Sequence, residues 1–525
     1  MTRQKSDDRI VPEGVRKGVP SGESPRGGKA VAVHPQGEQL RLPFATAENP
    51  ESSGVVGRAA GDPSPAVRHA ALTAKDNDEE ARPATMERVI EGLAAAFERV
   101  ASNDGAPGPD GRTIAFVRKH EREVLVALRA SLRDGTYCPG DIRRVWIPKA
   151  GGGQRGLGIP NVVDRVVQEA TRAVLEPLWE PTFHPSSHGF RPGRSCHTAI
   201  AEAQRNVEEG YEWVVDLDVE KFFDRVCHQR LMARVATRVQ DRRLLVLLGA
   251  MLKAGVILPD GVRVSTEQGV PQGGPLSPLL SNIVLDELDQ ELSRRGLRFV
   301  RYADDCNIFV QSERAGQRVM GSVTAFLARR LRLTVNAAKS AVARPEERHF
   351  LGFRLRVHPE SEAVEVLLSK RSRERVDAEI RERTPRTWGG TLERCIAGLN
   401  TYLRGWFGFF GICTGEERTM RVLDAHIRRR LRAIQLTHWK NGPTIVRHLI
   451  ARGVKRKAAW ATVYEGDRRM WNLSHRSAVE RVLNRDFFAR KKLVSLAGLW
   501  GERMTRHVIE ALVGQLSLFP GGRRS

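Results

Sequence analysis

Phe299-Val300-Arg301-Tyr302-Ala303-Asp304-Asp305-Cys306-Asn307-Ile308-Phe309-Val310 decides how this chain is read. Two short runs dense in β-formers, 299–302 and 306–310, flank a turn that carries two acids, the pattern of a hairpin with charge at its tip. Working outward, Tyr211-Glu212-Trp213-Val214-Val215-Asp216-Leu217-Asp218 is a further strand that ends in acid. Two antiparallel neighbours can bring Asp218 and Asp304 to one point, because side chains converge at strand ends and turns. Ionised carboxylates crowded and desolvated there repel one another unless a divalent cation compensates. A pair of Mg²⁺ ions about 3.5–4 Å apart would use such a cluster to activate an attacking hydroxyl and stabilise a leaving phosphate oxygen, which is nucleotidyl transfer.

A solvated Asp-Asp turn is the commoner meaning of two acids at a hairpin tip, so the surrounding residues decide between the readings. Gly269-Val270-Pro271-Gln272-Gly273-Gly274-Pro275-Leu276-Ser277-Pro278 is a turn that lets backbone approach a ligand, followed by a helix with Ser277 expected at the cap and Pro278 at its first position. Gln272 offers a neutral hydrogen-bonding side chain there. Lys149 and Arg155 bracket the glycine-rich tip after Ile147-Pro148, two cations placed where a triphosphate could be clamped. Each has a bland alternative as a loop cation or turn residue; the set together is specific.

Beyond this centre, residues 1–85 hold nine Pro, nine Gly, a single aromatic (Phe44) and equal numbers of acidic and basic residues, and read as a disordered leader. A helix is expected from Thr85, with Val89, Ile90, Leu93, Phe97 and Val100 on one stripe. From 86 to 369 short strands and helices mix without a regular βαβα beat, so the fold class is α+β. Residues 370–525 read as almost wholly helical and hold six of the nine Trp. They also hold 33 Lys and Arg against 14 Asp and Glu, most of the chain's net +23. That surplus is the expected footprint for a polyanion, and nucleic acid is favoured over a membrane surface. With 525 residues, room for about three domains, the chain is too long for a disulfide scaffold. Its six Cys show no zinc spacing and read as reduced thiols. No apolar run approaches the ~20 residues of a membrane span and the start lacks an apolar signal core, so the expected compartment is the cytoplasm.

Tyr302-Ala303-Asp304-Asp305, the Pro271-Gln272-Gly273 turn and Asp218 followed by Phe222-Phe223-Asp224 resemble a reverse transcriptase, and more narrowly the reverse transcriptase/maturase encoded by group II introns. Asn103-Asp104-Gly105-Ala106-Pro107-Gly108-Pro109-Asp110-Gly111, Leu157-Gly158-Ile159-Pro160 and Ser187-His188-Gly189-Phe190-Arg191-Pro192-Gly193-Arg194-Ser195 extend the resemblance, which runs from about 86 to about 510. It implies a right-hand polymerase: fingers and palm over 86–369, a thumb/maturase region over 370–470, and a basic extension over 471–525 that is a candidate for DNA binding. It makes Asp218, Asp304 and Asp305 the catalytic, metal-binding acids, with the Val219 carbonyl a further candidate ligand for two Mg²⁺. Phe223 matches the bulky position under the sugar, Gln272 lines the nucleotide pocket, and Lys149 and Arg155 hold the dNTP triphosphate. Gly156 and Asn161 depart from the family pattern, in place of a Pro and of a small hydroxyl residue. Lys339 sits where polymerases place a lysine near the leaving pyrophosphate, although a solvated lysine opening the next strand is the stronger reading.

The run Gly398-Leu399-Asn400-Thr401-Tyr402-Leu403-Arg404-Gly405-Trp406-Phe407-Gly408-Phe409-Phe410 resembles the maturase region. Farther on, Leu423, Ile427, Leu431 and Ile434 form a core stripe, and Arg428, Arg429, Arg430 and Arg432 spread over the rest of that helix, like a comb for RNA phosphates. The aromatics at 406–410 are expected to pack between helices rather than stack on bases. The cysteines of an H-N-H endonuclease are not found after them, and the resemblance implies a protein without that module. The expected partners are group II intron RNA, an RNA template, and a DNA primer or target DNA. Two alternatives stay open: a domesticated bacterial reverse transcriptase in antiviral defence, and an RNA-folding maturase with an idle polymerase site.

Overall fold

The computed structural model describes residues 83–148, 153–466 and 468–517, the last eleven as helical backbone alone. The expected leader falls outside the described residues up to position 82, as do Lys149 and most of the expected glycine tip. Ala84 is buried and the Thr85 hydroxyl accepts from the Arg88 N–H, so the expected capping residue does start the first helix, Met86–Glu91. It continues almost directly into Leu93–Ser102, and Val89, Leu93, Phe97 and Val100 bury one stripe against the long helix Val162–Trp179.

The strands fall into three sheets. β1 (Ile142–Pro148) and β2 (Gln154–Ile159) form an antiparallel hairpin, to which β4 (Val256–Ile257) and β5 (Arg263–Val264) add in the order β2-β1-β4-β5. The second sheet runs β6-β7-β3-β8, with β3 Trp213–Asp218, β6 Arg298–Tyr302, β7 Asp305–Val310 and β8 Ala341–Ala343, all antiparallel. β9 (Phe353–Val357) and β10 (Val364–Leu368) make a two-stranded ribbon.

Alternation along β3 and β7 divides the second sheet between two cores. Val215, Leu217, Cys306 and Ile308 point into a core shared with helices Val162–Trp179 and Ser277–Arg294. Val214, Val300 and Phe309 point the other way, into a core built from helix Cys196–Glu208, the β9-β10 ribbon and the C-terminal helices. A sheet covered on both faces needs apolar residues on both, which is why β3 reads as a nearly unbroken run of β-formers. In the second core Trp406 and Phe407 are buried, and Phe409 and Phe410 lie 5.5 and 5.2 Å from the Phe353 ring, so this aromatic cluster packs as expected.

One local expectation shifts by a residue. The helix after the Pro271-Gln272-Gly273 turn starts with Ser277 already inside it and Leu276 at the cap position. The Ser277 hydroxyl instead donates to the Pro271 carbonyl at 2.6 Å, which ties the turn to the helix it precedes.

Candidate active site

Pairing of β3 with β7 sets Asp218 directly opposite Asp305. The register Tyr302↔Asp305 closes the β6-β7 hairpin in two residues, Ala303 and Asp304. Such a tight turn demands left-handed backbone, and Ala303 adopts it with φ +57°. Because Ala303 has no glycine freedom, its neighbours must hold it. The Arg301 guanidinium donates to the Ala303 carbonyl at 2.8 Å. Gly189 packs so closely that a Cβ there would lie 2.3 Å from the Ala303 nitrogen, so the Ser187-His188-Gly189 segment presses directly on the turn.

Arg301 is fully buried, and all of its guanidinium nitrogens are used. It donates to both Asp289 oxygens (2.7 and 2.5 Å), to Asn282 Oδ1 (3.1 Å) and to Ser187 Oγ (2.7 Å), besides Ala303. Asn282 in turn donates to the Gly189 carbonyl at 2.9 Å. The tip that carries Asp304 therefore rests on a closed polar network rooted in helix Ser277–Arg294. Burial dominates the electrostatics of the acids. It pushes the Asp305 carboxyl well above the usual carboxylate range, helped by the charges of Asp216, Asp304 and Asp218. Burial also raises Asp304, against the pull of the Arg155 charge.

Asp216 shares the Asp218 face of β3, two residues back, and is answered by Arg348 at 2.8 and 2.5 Å. Arg348 also donates to the Lys339 carbonyl. Lys339 does not open a strand; its Nζ lies 3.6 Å from the Asp218 carboxylate. Asp218 itself is fixed by its backbone, whose N–H donates to Ser340 Oγ and whose carbonyl accepts from Asn336. The bridge from Val219 to Val335 forms through Asp218 and Glu220, which leaves the Val219 carbonyl outside those two hydrogen bonds.

Of the remaining expected residues, Arg155 is near enough for its charge to act on Asp304, and Phe223 and Gln272 are fixed by their backbones. The Phe223 carbonyl accepts from the Val270 N–H at 2.6 Å, so Phe223 and the turn at 271–273 lie side by side. The Gln272 carbonyl accepts from Gly158 of β2 at 2.6 Å, and Gly273, at φ +120°, would set a Cβ 2.4 Å from the Gly158 oxygen. That approach is open to glycine alone. Arg155, three residues before Gly158, is exposed. Gly156 gives its carbonyl to Arg144, and Asn161 bridges the Asp110 N–H and the Asp164 carboxylate, so both departures from the family pattern are absorbed locally.

Do these groups fit a divalent metal? The Asp305 carboxylate receives no hydrogen bond from the described residues, and the one cation on Asp218 is an exposed lysine. Yet among the described residues no three His, Cys, Asp or Glu side chains close into a ready-made cage. The donor set suits Mg²⁺, which takes one or two carboxylates and completes its shell with water and substrate phosphates.

Arg428, Arg429, Arg430 and Arg432 of helix Glu417–His438 are not displayed as a comb. Arg430 is buried and donates to Thr384 Oγ1 (2.6 Å), the Thr384 carbonyl (2.6 Å) and the Arg381 carbonyl (3.0 Å), closing the C-terminal end of helix Lys370–Arg383. Arg432 is buried against the Ser474 carbonyl and Glu480, both at 2.7 Å. Arg429 lies 4.1 Å over the Trp471 ring, and Arg428 is partly buried. A helix enclosed by neighbours on several sides spends its arginines on their carbonyls, which the single stripe at Leu423, Ile427, Leu431 and Ile434 did not reveal.

The Arg301 network, the Asp216–Arg348 pair and the Lys339–Asp218 contact are not apparent from the motifs. A signal for the first existed: Arg301 occupies an inward position of β6, facing buried Asn282, Asp286 and Asp289 at helical spacing.

The sequence model of the family "Reverse transcriptase (RNA-dependent DNA polymerase)" matches residues 147–355. That of the "Group II intron, maturase-specific domain" matches residues 373–453. Protein YkfC of Escherichia coli (strain K12) is 44% identical over 213 residues, 39% of this chain and 56% of that protein. Group II intron-encoded protein LtrA of Lactococcus lactis subsp. cremoris is 38% identical over 210 residues, 39% of this chain and 34% of LtrA. The matched region thus spans about half or less of these relatives. No helix among the described residues is long and apolar enough to cross a membrane. Polymerase and maturase matches follow one another in order along a single polypeptide: a reverse transcriptase domain precedes a group II intron maturase-specific domain.

Proposed function

We propose that this protein is an RNA-directed DNA polymerase that copies RNA into DNA, and that it binds a group II intron RNA to assist its splicing and mobility. The observation that carries the polymerase reading is the Asp218–Asp305 pair across β3 and β7, with Asp304 at the adjoining tip. Two Mg²⁺ ions held by Asp218, Asp304, Asp305 and the Val219 carbonyl would activate a primer hydroxyl and stabilise the leaving pyrophosphate oxygen. The protein's own groups do the positioning. Phe223 walls the sugar, Gln272 on its glycine turn lines the nucleotide, and Arg155, with Lys149 before it in sequence, clamps the triphosphate. Lys339, 3.6 Å from the Asp218 carboxylate, is the group that would hand a proton to pyrophosphate.

The splicing role is supported by the maturase-specific match at 373–453 and by the basic surplus of the C-terminal third. Of Arg428, Arg429, Arg430 and Arg432, Arg428 is the one expected to reach RNA phosphates, since Arg430 and Arg432 are occupied within the chain and Arg429 lies over the Trp471 ring. The test uses the purified full chain with dNTPs, Mg²⁺ and a DNA primer annealed to RNA. Chelator-sensitive primer extension, together with faster splicing of an intron RNA carrying this reading frame, is expected. Splicing help without any extension would overturn the polymerase half and leave a maturase with an idle site.

A further inference from the structure

Beyond both matched regions, helix Arg456–Tyr464 presents an aromatic and basic face to solvent. Its inward residues are Ala459 and Val463, both buried. Trp460 faces outward and is 43% exposed. Its indole stacks on Tyr464 one turn later, with centroids 4.9 Å apart and planes 20° from parallel. The Arg468 guanidinium lies 5.2 Å from the Tyr464 centroid and adds a third planar group. One turn before Trp460, at i−4 and i−3, stand Arg456 and Lys457, and an open groove is lined by Arg456, Lys457, Trp460, Ala461, Tyr464 and Glu465.

Core packing accounts for Ala459, Val463 and the inner edge of Tyr464, and leaves Trp460 outside the core. Arg456 and Lys457 make no ion pair within the described residues, so their charges are free to meet a ligand. An apolar protein surface would leave these cations desolvated and unanswered. A flat aromatic platform rimmed by cations instead matches a chain of alternating planes and negative charges.

We infer that this groove binds unpaired nucleic acid, with one base stacked on Trp460 and the flanking phosphates on Arg456 and Lys457. Duplex is excluded by the same geometry, because a paired base offers no free face to an indole lying on a helix surface. The site is separate from the acid pair on β3 and β7, so it serves to hold a strand and takes no part in the chemistry.

The full-length chain is titrated with fluorescent oligo(U), oligo(dT) and a blunt duplex of equal length. Trp460→Ala should weaken single-strand binding by about ten- to a hundredfold and leave the duplex unaffected. Trp460→Phe should restore most of it. Should Trp460→Ala lower the melting temperature, the surface pair Arg456→Gln and Lys457→Gln carries the test, flattening the single-strand salt slope by up to about 0.7 per lost contact. Photocrosslinking with 5-iodouridine in the oligo(U) should label Trp460 or Tyr464. A preference for oligo(U) assigns the site to RNA and one for oligo(dT) to DNA. Unchanged affinity with crosslinks elsewhere overturns the inference, as does an equal loss on duplex and single strand, which would mark a plain basic surface. Extension of a short pre-annealed primer should be unchanged in all variants, so failure here is distinguishable from failure of the polymerase reading.

Discussion

Arg301 and Asp289 form an ion pair with no exposed surface, and every nitrogen of the arginine has a partner. Such a pair adds little net stability against an apolar pair of the same shape, but removing one partner strands a buried charge. Arg301→Met should therefore cost about 3–5 kcal/mol in urea unfolding, and should lower primer extension further than stability alone accounts for, since the Ala303 carbonyl loses its donor. A loss under about 1 kcal/mol would show that the network is dispensable. At Phe223 the expectation is selectivity rather than stability. Phe223→Ala removes a steric wall and no metal ligand, so single-nucleotide extension should admit rNTP better while dNTP use persists. An unchanged ratio of the two would make Phe223 a packing residue beside Phe222.

At the scale of elements, helix Glu417–His438 separates two jobs that its sequence runs together. Arg430→Gln and Arg432→Gln remove donors from buried carbonyls and should each destabilise the fold by about 1–3 kcal/mol in thermal or urea unfolding. Arg428→Gln should leave stability within about 0.5 kcal/mol and instead flatten the salt dependence of RNA binding by about 0.7–0.9. The opposite assignment, with Arg430 controlling the salt slope, would contradict the structure. The same helix shows what the sequence makes legible. Apolar period alone foretold the buried Leu423, Ile427, Leu431 and Ile434, and β-former density foretold β3 and the β6-β7 hairpin. Those signals are local. Arg430 meets Thr384 46 residues away and Asp216 meets Arg348 132 residues away, partners that only the assembled topology selects. Ser277 lay between: the turn and helix were legible, while the carbonyl that claims its hydroxyl depended on how the glycine turn folds back.

In the molecule as a whole, the sheet that carries the acids is clamped between two hydrophobic cores, one reached from each face of β3. A site carried on a strand pair buried on both sides is rigid, which is what electrostatic positioning of a triphosphate requires. The basic excess sits in the other part of the chain, so affinity for RNA and chemistry on the nucleotide should be separable by mutation. The most direct measurement of the central claim is extension of a DNA primer on an RNA template by the Asp304→Asn/Asp305→Asn double variant, beside its melting temperature and its affinity for the intron RNA. Neutralising two acids that repel each other removes the charge a metal needs without removing any hydrogen bond seen at Asp305. The account predicts an intact fold, RNA binding within about twofold of the parent, and extension reduced by at least about a thousandfold. Robust extension by the folded double variant would contradict it and send the search for the catalytic centre elsewhere in the chain.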